Sequence, residues 1–149
     1  RYPFCRPLEF LAFAADETYL TAVDTELLEG IYTPLHFFSD LQTDFTKKLT
    51  KQYRQFHGND EIITYSAKAH YDLIYLLKAA IEKSDLATHQ QVMNNLHGLT
   101  RYSGNEKIHL REDNHFDLPV YLGQYRQGEL KVIKNFGVIT PPDQRLGVQ

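Results

Sequence analysis

Tryptophan is absent, cysteine and methionine each occur once, and neither sign of charge dominates. Each scarcity removes a class of reading. With Cys5 as the lone cysteine, no disulfide forms within the chain and no cysteine-rich zinc site exists. Cys5 has no cysteine partner and sits near the start of the chain, which makes it a poor candidate nucleophile. Sixteen basic against nineteen acidic residues leave a formal charge of −3, so no broad electropositive surface is built and nucleic acid is excluded as the main partner. No apolar run approaches the roughly 20 residues that a membrane-spanning helix needs. There is no G-x-S-x-G elbow, no G-x-x-x-x-G-K-[ST] loop and no G-x-G-x-x-G turn. Hydrolase, nucleotide-binding and dinucleotide-binding readings thereby lose their usual support. The chain opens Arg1-Tyr2-Pro3, without initiator methionine or signal peptide, as expected of a processed product or of part of something longer.

What is present fits one globular domain. The 149 residues are 42% hydrophobic and 23% charged, with ten Tyr and nine Phe. Leu8 to Ala14 is a short apolar run that predicts a buried strand. Asp16 is placed to cap a helix carrying Tyr19, Leu20, Val23, Leu27 and Leu28, closed by Gly30. Ile31 to Phe38 reads as extended, with Pro34 confining it to a sheet edge or a crossover. A second helix follows Thr43 or Asp44, with Phe45, Leu49, Tyr53 and Phe56 on one face and Gly58 at its end. Its remaining positions hold Lys47, Lys48, Lys51 and Arg54, a solvated basic face or an anion-binding patch.

The strongest helical signal spans Thr64 to Lys83, where Leu73, Ile74, Leu76, Leu77, Ala80 and Ile81 predict a largely buried stripe. A short helix from Thr88 to Leu96 stops at Gly98. Beyond Gly104 the pattern turns to strands. Lys107 to Leu110 is short, and Val120–Tyr125 with Leu130–Ile133 form a hairpin across Arg126-Gln127-Gly128-Glu129. Two strands separated by helices imply a parallel α/β sheet, yet two strands cannot cover three apolar helices. The inventory therefore matches part of a larger α/β protein.

Seven histidines invite a metal reading, but none pairs at the i, i+4 spacing of a helical zinc site. His109 and His115 share a region with Asp113 and define the one place where a cation, or an unconventional catalytic site, is conceivable; a dispersed surface set is the favoured reading. Asp16-Glu17 stands at a strand-to-helix turn, where open α/β sheets bind ligands and where plain helix capping also uses carboxylates. Phe37-Phe38 ends a strand and Tyr65 begins a helix, positions suited to ring walls around a small ligand as well as to the core.

Several segments in order carry a resemblance. Asp16-Glu17-Thr18-Tyr19-Leu20-Thr21 is followed by Leu27-Leu28-Glu29-Gly30-Ile31-Tyr32. Phe37-Phe38-Ser39 with Thr43 comes next, then Phe56-His57-Gly58. Ala67, Ala69, Tyr71-Asp72 and Tyr75-Leu76-Leu77 follow, and Asn114-His115 precedes Val120 to Tyr125. Together they resemble the C-terminal portion of type I periplasmic substrate-binding proteins. These are relatives of the Leu/Ile/Val binders, and the nearest branch is the one handling urea and short-chain amides.

The resemblance implies an α/β fold, part of a two-lobed architecture with a parallel sheet, helices and a C-terminal β hairpin. Residues 1–36 would end the second lobe, 37–110 return to the first, 111–135 form hinge and hairpin, and 136–149 an irregular tail. It also implies a periplasmic or extracellular, membrane-associated solute-binding component of an ABC transporter that performs no catalysis. Its partners would be a small polar solute and a membrane permease, with no cofactor and no metal. The alternative on the same fold is a cytoplasmic ligand-sensing regulator or a receptor sensor domain. Asp16 or Glu17 would meet the polar head of the ligand, with Phe37 and Tyr65 lining the cleft. Alone, this portion would bind weakly, with dimerisation through unpaired strand edges expected.

Overall fold

A computed structural model of the chain describes residues 9–85, 88–104 and 106–142. Cys5 and Leu8 lie outside them. The sheet is built mainly from the second half of the sequence. Strand β4 (Phe116–Arg126) is its backbone. Strand β5 (Glu129–Ile139) pairs antiparallel along one edge of β4, and β1 (Tyr32–Leu35) pairs antiparallel with residues 121–124. Residues 116–117 of β4 pair with β3 (Glu106–Leu110), which pairs in turn with β2 (Thr100–Ser103).

The β4–β5 hairpin turns at Gln127-Gly128, with φ of 53° and 76°. Two positive φ values in a two-residue turn match the right-handed twist of the flanking strands, and glycine takes the second position without strain. β5 continues to Ile139, four residues into the segment expected to be irregular, because Val138 and Ile139 keep register with Pro119 and Leu118.

The helices follow their caps. α3 (Asp44–His57), α4 (Tyr65–Glu82) and α5 (His89–Leu96) each begin after a threonine, Thr43, Thr64 and Thr88. In each case the hydroxyl accepts the backbone N–H three residues on. The predicted helix after Asp16 is instead two short pieces, α1 (Tyr19–Ala22) and α2 (Thr25–Leu28). The break falls at Val23-Asp24, where Asp24 accepts the Glu26 N–H and starts a new cap.

Two expectations fail on packing. The apolar run from Leu8 to Ala14 predicts a buried strand, and two strands separated by helices predict a parallel sheet. The parallel pairing is a single bridge, Leu11 to Tyr32, and the other described pairings are antiparallel. With one bridge and no described strand on its far side, this segment leaves Phe10, Leu11 and Phe13 exposed. On α4, Leu76 and Ala80 are buried, but Leu73, Ile74, Leu77 and Ile81 are exposed. Phe56 on α3 likewise points outward.

The main core joins Phe37, Phe38, Leu41 and Leu49 to Leu35, Tyr121, Tyr125 and Leu130 of the sheet. A smaller cluster of Leu76, Ala80 and Leu99 fixes α4 to α5 and the start of β2.

Candidate functional site

Of the four residues singled out from the sequence, Glu17 and Tyr65 meet one stretch of chain, residues 36–39 between β1 and α3, which itself holds Phe37; Asp16 does not reach it. Glu17 Oε1 accepts the Ser39 N–H at 2.6 Å. The Tyr65 ring stands edge-on to His36, centroids 5.7 Å apart. Phe37 lies between these contacts and is buried, with the Lys68 ammonium 5.8 Å from its ring centre. Asp16 sits beside Glu17, but its roles are local. Its carboxylate accepts from the Thr18 N–H at 3.0 Å and the Thr18 hydroxyl at 2.5 Å, while its carbonyl accepts from the Tyr125 hydroxyl at 2.7 Å. Asp16 therefore shapes the turn that presents Glu17.

Glu17 is the electrostatically unusual member. It is only 6% exposed, and its Oε2 has no hydrogen-bond partner among the described residues. Burial pushes its carboxyl up from the ordinary value, against the pull of the Ser39 N–H. A raised carboxyl contributes stability below the unfolded value near 4.5 and loses it as pH rises through the folded value. Glu17→Gln should therefore flatten the decline in stability on going from about pH 4 to pH 7. Thermal melts across that range check this, and an unchanged slope would count against a strained carboxylate.

His36 has the opposite sense. Burial and then the Lys68 ammonium lower its value below 6.5. Its neutral ring contributes stability above that unfolded value, lost as pH falls below it. His36 and Asp72 also edge a small apolar cavity of about 80 Å³ with Leu76, Ile108 and Phe116.

Beneath Phe37 lies a polar cluster that the sequence reading did not single out. The Lys68 ammonium pairs with Asp72 Oδ2, one helical turn along α4, and both side chains are buried. Asp72 Oδ1 accepts from the Ser103 hydroxyl at 2.8 Å and from Arg101 Nε at 3.1 Å. The Arg101 guanidinium lies 4.1 Å over the Tyr75 ring. The cluster ties α4 to β2 and supports the 36–39 stretch from below. Its spacing in the sequence, Lys and Asp four residues apart, does not distinguish it from the exposed Lys78–Glu82 pair on the same helix.

The residues considered for a cation are committed elsewhere. Asp113 pairs with Arg111 at 2.8 Å and accepts the His115 N–H at 3.1 Å. His109 Nδ1 meets the Thr100 hydroxyl, on the neighbouring strand. Among the described residues no group of three or more His, Cys, Asp or Glu side chains is placed to hold a metal.

Glu17 and Tyr65 thus meet opposite ends of the 36–39 stretch, Glu17 at Ser39 and Tyr65 at His36. Residues 6–144 match the periplasmic binding protein domain, and the chain belongs to that family. Its fold is α/β and part of the type I periplasmic-binding-protein architecture.

Among similar structures is a leucine-binding protein from Thermotoga maritima, 19% identical, covering 85% of this chain and 37% of its own, TM-score 0.71. A solute-binding protein of an ABC transporter from R. palustris, in complex with benzoate, is 17% identical, covers 85% and 35%, TM-score 0.69. An ABC transporter substrate-binding protein from Desulfitobacterium hafniense is 25% identical, covers 85% and 36%, TM-score 0.62. This chain thus spans little more than a third of the length of these structures. No curated protein matches in sequence. No helix among the described residues is long and apolar enough to cross a membrane.

Proposed function

We propose that the chain is part of the solute-binding component of an ABC-type transporter, capturing a small polar solute in a cleft between two lobes. The family match over residues 6–144 carries this reading. The proposed solutes are an amino acid, a short amide or urea, presented to a membrane permease on the periplasmic or extracellular side. Closure of the lobes about a hinge would trap the solute and signal occupancy. In the same proposal residues 1–36 end the second lobe, 37–110 belong to the first and 111–135 make the hinge and hairpin.

Glu17 is the proposed polar anchor. Its buried, unpartnered oxygen is short of one donor, and the ammonium or amide N–H of such a solute supplies one. Tyr65 is proposed to wall the solute, with Phe37 backing the wall and Asp16 setting the turn. The family is one of binding proteins, and the mechanism proposed is capture and release without bond chemistry.

Isothermal titration of the full-length protein with leucine, acetamide and urea tests the reading. Saturable heat with one of them, weakened roughly tenfold or more by Glu17→Gln, is the expected result. Absence of heat with all three would reject the solute classes, and full affinity in Glu17→Gln would reject the anchor. Residues 1–149 alone are expected to bind much more weakly than the full-length protein.

A further inference from the structure

A second concave site begins at Ser39, the residue whose N–H donates to Glu17. It is a groove of about 690 Å³ between residues 39–42 and the outer face of α3. Lys47, Lys51 and Arg54 line it, at positions i, i+4 and i+7, so that one helix face carries three cations one turn apart. None of the three makes an ion pair among the described residues, although the chain as a whole is acidic.

The facing wall holds one carboxylate, Asp40, and the Gln42 amide donates to its Oδ1 at 3.0 Å and to its backbone carbonyl at 2.9 Å. The groove therefore carries three positive charges against one partly masked negative charge. Neutral donors complete it. Thr50 lines it between Lys47 and Lys51, with its hydroxyl oxygen buried. The Gln55 and Asn59 amides extend the lining beyond Arg54, whose Nε leans on the Glu61 carbonyl at 3.4 Å. That contact leaves the terminal nitrogens of the guanidinium for a ligand.

We propose that this groove binds a phosphoryl group. A single carboxylate would satisfy one of the three cations. A phosphate monoester brings close to two negative charges and three acceptor oxygens to one point. That matches two ammonium groups and a guanidinium fork. None of its three cations belongs to the solute site, although Ser39 borders both. The phosphoryl group is that of a free phosphate ion or monoester, or of a lipid headgroup that ends in a phosphate monoester, against which α3 would lie.

Titration of the full chain with inorganic phosphate, followed by backbone amide shifts, tests the proposal, with vesicles containing phosphatidic acid, a phosphate monoester, as a second arm and phosphatidylcholine vesicles as control. Saturable shifts at Thr50 and Lys51, weakened roughly tenfold or more in Lys51→Gln/Arg54→Gln, identify a free-phosphate site. Vesicle binding that depends on the same two residues and spares phosphatidylcholine identifies a headgroup site. Lys48 points instead toward Phe45, Tyr71 and Tyr75, so Lys48→Gln should leave either binding unchanged. Equal weakening by Lys48→Gln would mean diffuse charge attraction and overturn the proposal. So would the absence of binding in both arms, or binding that survives the double substitution. All three residues are exposed, and unchanged circular dichroism of the variants confirms that the fold is intact.

Discussion

Replacing Asp72 by alanine should remove about 3–5 kcal/mol of folding stability, the range measured when one partner of a buried ion pair is deleted. The reason is what remains. Asp72 is the acceptor for three donors at once: the Lys68 ammonium, Arg101 Nε and the Ser103 hydroxyl. Alanine leaves the Lys68 charge at 2% exposure with the Ser103 hydroxyl 3.4 Å away, between the rings of Phe37 and Phe45. Cation–π contact with two rings offsets only part of that desolvation.

The reciprocal change should be milder. Lys68→Met keeps most of the volume, and Asp72 retains Arg101 and Ser103. Urea denaturation of the three proteins checks the ordering: wild type first, Lys68→Met next, Asp72→Ala last. Equal losses for the two variants would show that the carboxylate is no hub. A loss below about 1 kcal/mol for Asp72→Ala would show that water reaches the site. Adding Lys68→Met to Asp72→Ala should restore part of the stability by removing the stranded charge. Recovery stays incomplete, since Ser103 remains buried without its acceptor.

Legibility in the sequence divides along the same line as local and non-local physics. α3, α4 and α5 could be placed because Thr43, Thr64 and Thr88 announce each start within three residues. Gly58 announces the α3 stop, and Gln127-Gly128 the hairpin turn. These signals need no knowledge of the rest of the chain. The break at Val23-Asp24 was hidden because Leu27 and Leu28 continue a helical spacing across it, while Asp24 offers a competing cap. β2 was missed because Thr100 to Ser103 becomes a strand only by pairing with β3.

The side chains of α4 show the limit most directly. Apolar spacing predicts burial of Leu73, Ile74 and Leu77, but what covers a face depends on its neighbours, and here those residues are exposed. Lys68 and Asp72 are buried in their stead, because Ser103 and Arg101 arrive from β2 to satisfy them. The candidate site behaves likewise. A carboxylate pair at a strand-to-helix turn was visible. Asp16 is taken up locally by Thr18, but how Glu17 is left with one idle oxygen depends on Ser39, 22 residues further on.

Phe38→Ala should destabilise the chain by about 3–5 kcal/mol, and the size of the loss should depend on Gly123. Phe38 is 1% exposed and packs against β4 where that strand has no side chain. A Cβ at Gly123 would stand 2.8 Å from both Cε1 and Cζ of Phe38, and 3.1 Å from Leu130 Cδ1. Glycine is required there by the ring and not by the backbone, since Gly123 is absent from the positive-φ set. Gly123→Ala alone is thus an overpacking change, expected to cost about 1–3 kcal/mol because the buried ring has nowhere to swing. The usual gain from replacing a strand glycine, about 0.5–1 kcal/mol, offsets part of it.

In the double variant the clash disappears and the new methyl fills a little of the space left by the ring. The combined loss should therefore fall short of the sum of the single losses by about 0.5–3 kcal/mol. A double-mutant cycle by urea denaturation measures that coupling. Strict additivity would mean that Phe38 and Gly123 are not in contact in solution, and that the 36–39 stretch does not rest on β4. The proposed binding site would then lose the wall that holds Phe37 and the Ser39 N–H in place for Glu17.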